Sequence, residues 1–321
     1  MNPVPPVRKT LIVACKPIRM HPAARPAVRL VLVACVVGLG GAALALAAGG
    51  GDRGPDTHPR SWAFAIGNGM LAGGAPEVAA RLGEFDLIVV DGELARSDEV
   101  AALQARGATV LAYLSVGTIE EWRSWYPRLR RFRLGAWRDW KDEWFADVSR
   151  AKLRRALTHR IAPEILDKGF DGLFLDNVDM VETRNHRRQR PGMRKLVRAL
   201  AGLVHADGRV LFTQNGAWGL RKLGLVGTID GWNREDVSWG YDFDRRRYVR
   251  NPERRARAAR AELRRMAQLG KVVTATDYAP GGNLAARDEA VANACSVGAL
   301  PYVSDIGLTA RRLPRPPLSC P

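Results

Sequence analysis

Carboxylates and amides follow most of the short apolar runs in this sequence. The residues at the ends of these runs are Asp91, Glu93, Ser115, Asp176, Asn177, Asp179, Gln214, Asn215, Asn233, Glu235, Asp277, Tyr278 and Asp305. Carboxylates that gather in one place repel one another and raise each other's pKa, so a purely structural role does not account for them. Hydrolysis of a glycosidic bond needs two such groups, one protonated to assist the leaving oxygen and one ionised to act as nucleophile or to activate water.

Asp176 and Glu235 are the best candidates for this catalytic pair. We predict that Asp176 is the nucleophile and Glu235 the general acid/base. Trp232 and Trp239 flank Glu235 in the sequence, and apolar surfaces raise the pKa of a carboxyl group. Asp171 opens its own run, so we expect it to form a turn at the opposite end of the fold.

Eight short apolar and β-branched runs must position these side chains. They span residues 62–66, 86–91, 109–115, 171–176, 209–214, 228–233, 271–277 and 299–304. Most lack strict alternation, as is typical of parallel strands covered on both faces, and helical patterns separate them. The predicted fold is α/β, a single-domain (β/α)8 TIM barrel over residues 61–313 with its active site at the carboxyl ends of the strands. An open doubly wound sheet is the alternative, but it would need a glycine-rich phosphate loop after its first strand.

Three of the intervening helices have clear sequence signals. One begins with Ser97 as its N-cap and ends at Gly107. The other two place apolar residues at helical spacing on one face. Those residues are Met193, Leu196, Val197, Leu200, Leu203 and Val204 in one helix, and Ala256, Ala259, Leu263 and Met266 in a helix over 252–269. The chain is proline-rich after residue 313, so we expect a short or missing last helix and a tail over 314–321.

Residues 117–148 form an unusually long connection after the third run. It contains Trp122, Trp125, Tyr126, Trp137, Trp140 and Trp144, which include five of the nine tryptophans in the chain. We predict a long tryptophan-rich loop over the mouth of the barrel. Its flat aromatic faces would suit the apolar faces of sugar rings. Alternatively, the segment packs a small core of its own, and the two interpretations are compatible.

The composition, 46% hydrophobic and 26% charged, is that of a globular protein and excludes a disordered or fibrous one. The first 51 residues contain six of the 50 basic side chains and none of the 33 acidic ones, so the rest of the chain has a net charge of +11. The excess arginines indicate either a solvated surface or attachment to anionic envelope or matrix polymers. We expect no nucleic-acid partner because the sequence contains no recognised binding module, and we expect a monomer.

The first 51 residues have the pattern of an export segment. A basic stretch precedes 22 consecutive uncharged residues from Leu30 to Gly51, and residues 52–60 then form a polar linker. We interpret residues 1–51 as either a signal peptide or an N-terminal membrane anchor. In both cases the catalytic body is secreted or held on the outer face of the cytoplasmic membrane, and this segment is its only contact with the membrane.

Two cysteines, Cys295 and Cys320, lie outside this leader. In an oxidising compartment they would close one disulfide that fixes the C-terminal tail; otherwise they are two unpaired thiols. The five histidines have no HExxH spacing, and the sequence contains no CxxC pair. We therefore predict neither a metal site nor a cofactor.

An ordered series of motifs resembles the endo-α-1,4-polygalactosaminidase family of glycoside hydrolases. The resemblance spans about 62–308, and its most specific motif is the GFDGLFLDNVD segment at 169–179. The other segments are Tyr113 to Gly117 with Glu120 and Arg123, Trp144 to Val148, Gln214 to Gly216, Ile229 to Glu235, and Thr276 to Tyr278. The resemblance implies a (β/α)8 barrel that is secreted or surface-attached and cuts α-1,4-linked galactosamine-rich polysaccharide, with Asp176 and Glu235 at the positions of the family's catalytic acids.

Further residues of these motifs are expected to contact the substrate. They are Asp91, Tyr113, Glu120, Arg123, Asp179, Asn215, Trp232, Asp277 and Tyr278. The chain departs from the family pattern at Thr118, where an acid usually follows the glycine of YLSVG. A lost acid would change subsite preference without removing the catalytic pair.

The sequence therefore predicts a glycoside hydrolase that cleaves internal α-1,4 linkages of an extracellular amino-sugar polysaccharide by a two-carboxylate mechanism. One alternative is a non-catalytic, envelope-tethered barrel that holds glycan with its tryptophan-rich segment. Another is a hydrolase of a different polysaccharide, suggested by Thr118 and by the basic body of the protein.

Overall fold

The eight apolar runs all form parallel strands of one sheet, and the runs are neighbours in the order of the sequence. The structure is a computed structural model that describes residues 58–321; the leader and most of the linker therefore lie outside the described residues. The strands are β1 (Trp62–Ala65), β2 (Leu87–Asp91), β3 (Thr109–Ser115), β4 (Gly172–Asp176), β5 (Val210–Gln214), β6 (Gly231–Glu235), β7 (Val272–Tyr278) and β8 (Leu300–Ser304). Strand β8 lies beside β1, which brings the sheet edges together in a nearly closed barrel and confirms the predicted fold.

Strand β6 begins three residues later than its apolar run predicted. A 3₁₀ turn occupies Val226–Thr228, and Asp230 then accepts a hydrogen bond from the backbone N–H of Leu211 at 2.7 Å. Pairing with β5 starts only at Gly231, opposite Phe212. The shift has a functional consequence because Glu235, rather than Asn233, is the last residue of the strand.

Helices connect the strands and cover the outside of the barrel. The α-helices of the described residues are α1 (Ala75–Leu82), α2 (Ser97–Gln104), α3 (Tyr126–Leu129), α4 (Ala151–Ala156), α5 (Ala162–Leu166), α6 (Arg190–Ala206), α7 (Ala217–Lys222), α8 (Glu253–Gln268) and α9 (Leu284–Cys295). A π-helical turn, Leu157–Ile161, joins α4 to α5. The 3₁₀ turns are Arg130–Phe132, Val178–Glu182, Arg184–Gln189, Val226–Thr228 and Ala310–Arg312. Within residues 58–321, only the last of these 3₁₀ turns follows β8, as predicted for a short or missing last helix.

The helix signals are mostly confirmed. The predicted apolar faces of α6 and α8 are buried except for Leu203, which is partly buried. The N-cap of α2 is Arg96 and not Ser97, because the Glu99 carboxylate accepts the backbone N–H of Arg96 at 2.9 Å. Ser97 is therefore the first helical residue.

Aromatic rings fill the interior of the barrel. Trp62 and Phe64 on β1 lie with their ring centroids 5.9 Å apart, and Trp62 also contacts Tyr302 at 5.6 Å. Phe64 contacts Phe174 at 5.2 Å. All four side chains are at most 1% exposed. Since side chains alternate along a strand, the inward residue two positions after Phe174 is Asp176, at the carboxyl end of β4.

The tryptophan-rich segment after β3, residues 117–148, has secondary structure of its own. It contains a three-stranded antiparallel sheet made of Thr118–Glu120, Arg133–Ala136 and Glu143–Ala146, and we call residues 117–148 the insert. The Arg133 guanidinium lies 4.5 Å from the ring centroid of Trp144, and the rings of Trp137 and Phe145 stack at 5.6 Å. The insert therefore packs an aromatic core of its own. A second addition, the hairpin of Trp239–Asp242 with Arg247–Arg250, follows β6.

The C-terminal tail is fixed by a disulfide between Cys295, at the end of α9, and Cys320, with Cα atoms 5.4 Å apart. Arg315 on the tail also donates hydrogen bonds to the carbonyls of Ala80 and Arg81, at 3.0 and 2.6 Å. Among residues 58–321, the structure contains no helix that is both long enough and apolar enough to span a bilayer.

Removing the disulfide will destabilise the fold. Cys295 and Cys320 are 25 residues apart in the sequence. A cross-link over a loop of that length restricts the unfolded chain and raises the free energy of unfolding by about 2–4 kcal/mol. We expect Cys320→Ser to lower the free energy of unfolding by that amount in urea titrations without reductant. With reductant the variant and the wild type should unfold alike. Equal stability of the two oxidised proteins would contradict the prediction.

Candidate active site

A cavity of about 610 Å³ opens at the carboxyl ends of the barrel strands, under the insert and the hairpin. Eight acids line it: Asp91, Glu120, Asp139, Glu143, Asp176, Asp179, Glu235 and Asp236. Its aromatic lining consists of Phe64, Tyr113, Trp122, Trp137, Trp140, Tyr241, Phe243 and Tyr278. Among residues 58–321, Arg123 is the only basic side chain in its wall. The cavity is therefore strongly acidic, although the protein is basic.

Asp176 is the last residue of β4 and accepts three hydrogen bonds. The donors are the Tyr113 hydroxyl at 2.7 Å, the Gln214 side-chain amide at 3.1 Å and the backbone N–H of Asn177 at 2.6 Å. Burial raises the pKa of Asp176, and the three hydrogen bonds oppose that shift because they favour the ionised form. Two of these donors contact Oδ1 of Asp176 and one contacts Oδ2.

Glu235 is the last residue of β6 and shares the cavity with Asp176. Its carboxylate accepts hydrogen bonds from the Asn215 side chain at 2.8 Å and from the Tyr278 hydroxyl. Burial raises the pKa of Glu235 to about 8, and the negative charges of Asp176 and Asp236 add to the shift. Glu235 therefore retains its proton at neutral pH.

The sequence analysis predicted the raised pKa of Glu235 but attributed it to the apolar surfaces of Trp232 and Trp239. The indole N–H of Trp232 donates to the carbonyl of Asn215 at 2.6 Å, and that of Trp239 donates to Glu289 at 2.9 Å. Neither tryptophan lines the cavity. Trp232, which we expected to contact substrate, is instead fully buried on the outer side of β6.

A buried polar ladder orients the amide of Gln214 towards Asp176. The Asn233 side-chain amide donates to the Gln214 carbonyl oxygen at 2.9 Å, and Asn233 in turn accepts from the Thr274 and Thr276 hydroxyls at 2.9 and 3.2 Å. Asn233 and both threonines are 0% exposed. Because Asn233 and both threonines are fixed in this ladder, the side-chain N–H group of Gln214 can point only at the carboxylate of Asp176.

A residue with left-handed backbone directly follows each of the strands β4, β5 and β6. These residues are Asn177, Asn215 and Asp236, with φ values of 60°, 54° and 54°. Asn and Asp adopt this conformation more readily than other residues with a side chain. The turn ends the three strands at Asp176, Gln214 and Glu235, respectively. It also brings Asn177 so close to the insert that a Cβ on Gly117 would lie 1.9 Å from the Asn177 carbonyl oxygen.

Arg123 lines the cavity but is held by two acids. Its guanidinium donates to both oxygens of Asp91 at 2.7 Å and to both oxygens of Glu120 at 2.6 and 3.1 Å, and only 4% of the residue is exposed. Burial raises the pKa of Glu120, and the charge of Arg123 opposes that shift. This triad, expected to bind substrate, also joins the insert to β2.

The remaining predicted contacts divide into two groups. Tyr113, Asp179, Asn215 and Tyr278 line the cavity. Burial and the charges of Asp176 and Glu182 raise the pKa of Asp179 to about 7. Asp277 does not line the cavity: it alternates with Tyr278 along β7 and accepts the backbone N–H groups of Ser238 and Trp239 at 2.6 and 2.7 Å. It supports the start of the hairpin.

Some lining residues were not found from the sequence as part of the site. Glu143 and Asp139 come from the insert, and Tyr241 and Phe243 from the hairpin. None of them follows a barrel strand, so the pattern of acids at strand ends did not indicate them. Trp140 and Phe243 meet edge to face at 5.4 Å, which joins the insert to the hairpin over the cavity.

A (β/α)8 barrel with two partly buried carboxyl groups at the ends of β4 and β6 has the features of a glycoside hydrolase. Residues 46–313 match the model of glycoside-hydrolase family GH114. That match covers most of the chain, and the protein therefore belongs to family GH114. The resemblance found in the motifs is confirmed.

The chain is also similar to individual proteins. The glycoside hydrolase domain of PelA from Pseudomonas aeruginosa has a TM-score of 0.63 at 25% identity, covering 78% of this chain and 96% of that one. Ega3 from Aspergillus fumigatus, solved in complex with galactosamine, has a TM-score of 0.60 at 17% identity, covering 82% and 98%. An uncharacterized protein from Deinococcus radiodurans is 28% identical over 254 residues, covering 72% of this chain and 76% of the relative.

Replacing Arg123 will destabilise the protein strongly. Arg123→Met leaves the carboxylates of Asp91 and Glu120 without their shared cation, and breaking a buried pair from one side costs about 3–5 kcal/mol. Urea unfolding should show that loss. Arg128→Met, an exposed site in the same insert, is the matched control and should change stability by less than about 0.5 kcal/mol. Similar small effects of both changes would contradict the role of the triad.

Stability should fall as the pH rises from about 4.5 to about 8. Burial raises the pKa of Glu143 and Glu235 to about 8 and that of Asp179 and Asp277 to about 7. The folded chain therefore binds more protons than the unfolded chain in this window, which makes the slope of stability against pH negative.

Urea unfolding at several pH values across the window tests this slope. Glu235→Gln removes one of the four titrations and should make the decline shallower. A stability that is constant or rises over the same range would refute the proposed protonation states.

Proposed function

We propose that this glycoside hydrolase cleaves internal α-1,4 linkages of a galactosamine-rich extracellular polysaccharide. The observation that carries the proposal is the charge of the cavity, where eight carboxyl groups face a single guanidinium that is already paired with two of them. A sugar unit with a free amine is cationic and suits such a cavity. Galactosamine bound to Ega3, which shares the fold, supports the same substrate class.

The catalytic roles follow from the different surroundings of the two acids. Three donors stabilise the carboxylate of Asp176, so it attacks the anomeric carbon in its ionised form. Glu235 lies among negative charges and holds a proton, which it gives to the leaving glycosidic oxygen. The resulting glycosyl–enzyme bond is broken by water, whose proton returns to Glu235, and Asp176 is restored.

Aromatic side chains on two sides of the cavity are suited to several sugar units. Trp122 and Trp140 come from the insert, and Tyr241 and Phe243 come from the hairpin. Trp122 and Trp140 are 55% and 36% exposed, so their faces are open to a polymer. Stacking on sugar rings away from the reacting bond favours cleavage within a chain.

The net charge of +11 on residues 52–321 does not oppose a cationic substrate in the cavity. Salt screens exposed charges beyond about 8–10 Å, whereas carboxylates within the cavity act at contact distance. The local field is therefore set by the acids of the cavity that are ionised and not by the surface arginines.

We propose that the protein acts outside the cytoplasm, as a monomer, and either secreted or anchored on the outer face of the cytoplasmic membrane. The apolar segment from Leu30 to Gly51 supports export. The disulfide between Cys295 and Cys320 supports an oxidising compartment, because such bonds are rarely kept in the cytosol.

Product analysis tests the proposed function. The purified protein is incubated with galactosamine-rich polymer in acetylated and deacetylated forms, and the released oligosaccharides are identified by mass spectrometry. We expect internal fragments from the wild type and a loss of rate of about 10²–10⁴-fold in Glu235→Gln. Glu84→Gln changes an exposed acid at the opposite end of the barrel and should keep full activity.

Two other outcomes would contradict the proposed function. Retained binding without any release of fragments, in the wild type as in the variant, would support a tethered glycan-binding barrel. Cleavage of another polysaccharide in place of the galactosamine polymer would refute the proposed substrate.

A further inference from the structure

Glu143 is an acid in the cavity that the two-carboxylate reaction does not use. It begins the insert strand Glu143–Ala146, is 8% exposed, and lines the same cavity as Asp176 and Glu235. Its Oε2 accepts a hydrogen bond from the Thr118 hydroxyl at 3.1 Å. Its Oε1 makes no hydrogen bond within residues 58–321 and is not sealed from solvent. One carboxyl oxygen of Glu143 is therefore available to a ligand.

A short chain of contacts holds Glu143 in place relative to Asp176. The Thr118 hydroxyl lies 2.6 Å from the Ser115 hydroxyl and accepts from the Asn177 side-chain amide at 3.3 Å. The backbone N–H of the same Asn177 donates to Asp176. Thr118, Ser115 and Asn177 are each 5% exposed, so Glu143 is fixed by a buried network that ends at the nucleophile.

The charges around Glu143 leave it without a cationic partner. Glu120 lies opposite it in the antiparallel pair, and Arg123 is occupied by Asp91 and Glu120. Burial, together with the charges of Glu120 and Asp176, raises the pKa of Glu143 to about 8; the Thr118 hydrogen bond and the charge of Arg123 oppose that shift. Glu143 is therefore neutral at neutral pH in the free protein, and a cation bound beside it would release its proton.

We infer that Glu143 binds the free amino group of a sugar unit next to the one that reacts at Asp176, and that it makes the enzyme prefer unacetylated over N-acetylated units. The inference rests on the proposed galactosamine substrate and names a residue that sets its acetylation state. An ammonium group offers three N–H donors and a full charge to the carboxylate, whereas an acetamide offers one donor and no charge. The proton leaves Glu143 for solvent when the ammonium group binds.

Binding measurements separate this inference from the hydrolytic reaction. Galactosamine oligosaccharide and its N-acetylated counterpart are titrated calorimetrically into the Glu235→Gln protein, in two buffers with different ionisation enthalpies. The titration is made at about pH 6, where the sugar amine is already protonated, since amines of this type titrate near about pH 8. We expect binding of the amine form to release about one proton because Glu143 ionises.

Adding Glu143→Gln should abolish this proton release and weaken binding of the amine form at least about tenfold, a typical effect of losing one charge-assisted hydrogen bond. Binding of the N-acetylated form should change less than about threefold. Gln is isosteric with the neutral acid and can still accept from Thr118, so the fold should be retained. Glu143→Asp keeps an ionisable group and should restore part of the proton release. Glu121→Gln, an exposed acid of the same insert, should change nothing.

The inference is overturned if both sugars lose affinity equally, if proton release persists without Glu143, or if neither sugar binds. A failure of the proposed function gives a different result. In that case Glu143-dependent binding of the amine form would persist, while the wild type released no fragments from the polymer.

Discussion

The structure depends on keeping many carboxyl groups in one cavity without letting all of them ionise. Each acid whose surroundings are described above meets this constraint in its own way. Asp91 and Glu120 share the buried guanidinium of Arg123. Asp176 accepts three hydrogen bonds, and Glu235 and Glu143 retain protons because burial and nearby charges raise their pKa. The division between ionised and protonated acids that a glycosidase needs follows directly from this arrangement.

The insert and the hairpin turn the open end of the barrel into a cavity. Gly117 lets the insert pass against Asn177, and Arg123 joins the insert to Asp91 on β2. Trp140 and Phe243 then meet over the cavity. These additions supply most of the aromatic surface and three of the eight acids. The barrel strands carry Asp176 and Glu235, and the additions cover the cavity above them.

Most of the barrel could be predicted from the sequence. Its eight strands are short apolar runs separated by helical patterns. A strand that is buried on both faces consists almost entirely of apolar residues, so it can be recognised in the sequence. The sequence also indicated Asp176, Asn215 and Glu235, because each lies at the end of a strand or directly after it. Asp277 and Trp232 were assigned to the cavity from sequence position, but side chains alternate along a strand, and each of these points away from the barrel interior.

The sequence by itself determined the fold class and the family, and it placed Asp176 and Glu235 at the ends of strands, since strand periodicity and the residues at strand ends are local properties of the chain. Only the tertiary structure decided which acids meet and which of them hold protons. Glu143 joins Thr118 through antiparallel pairing inside the insert, and Cys295 meets Cys320 across 25 residues. The pKa of Glu235 depends on Asp176, which lies 59 residues earlier in the chain. Such contacts depend on distance in space, and the spacing of residues in the sequence does not contain that distance.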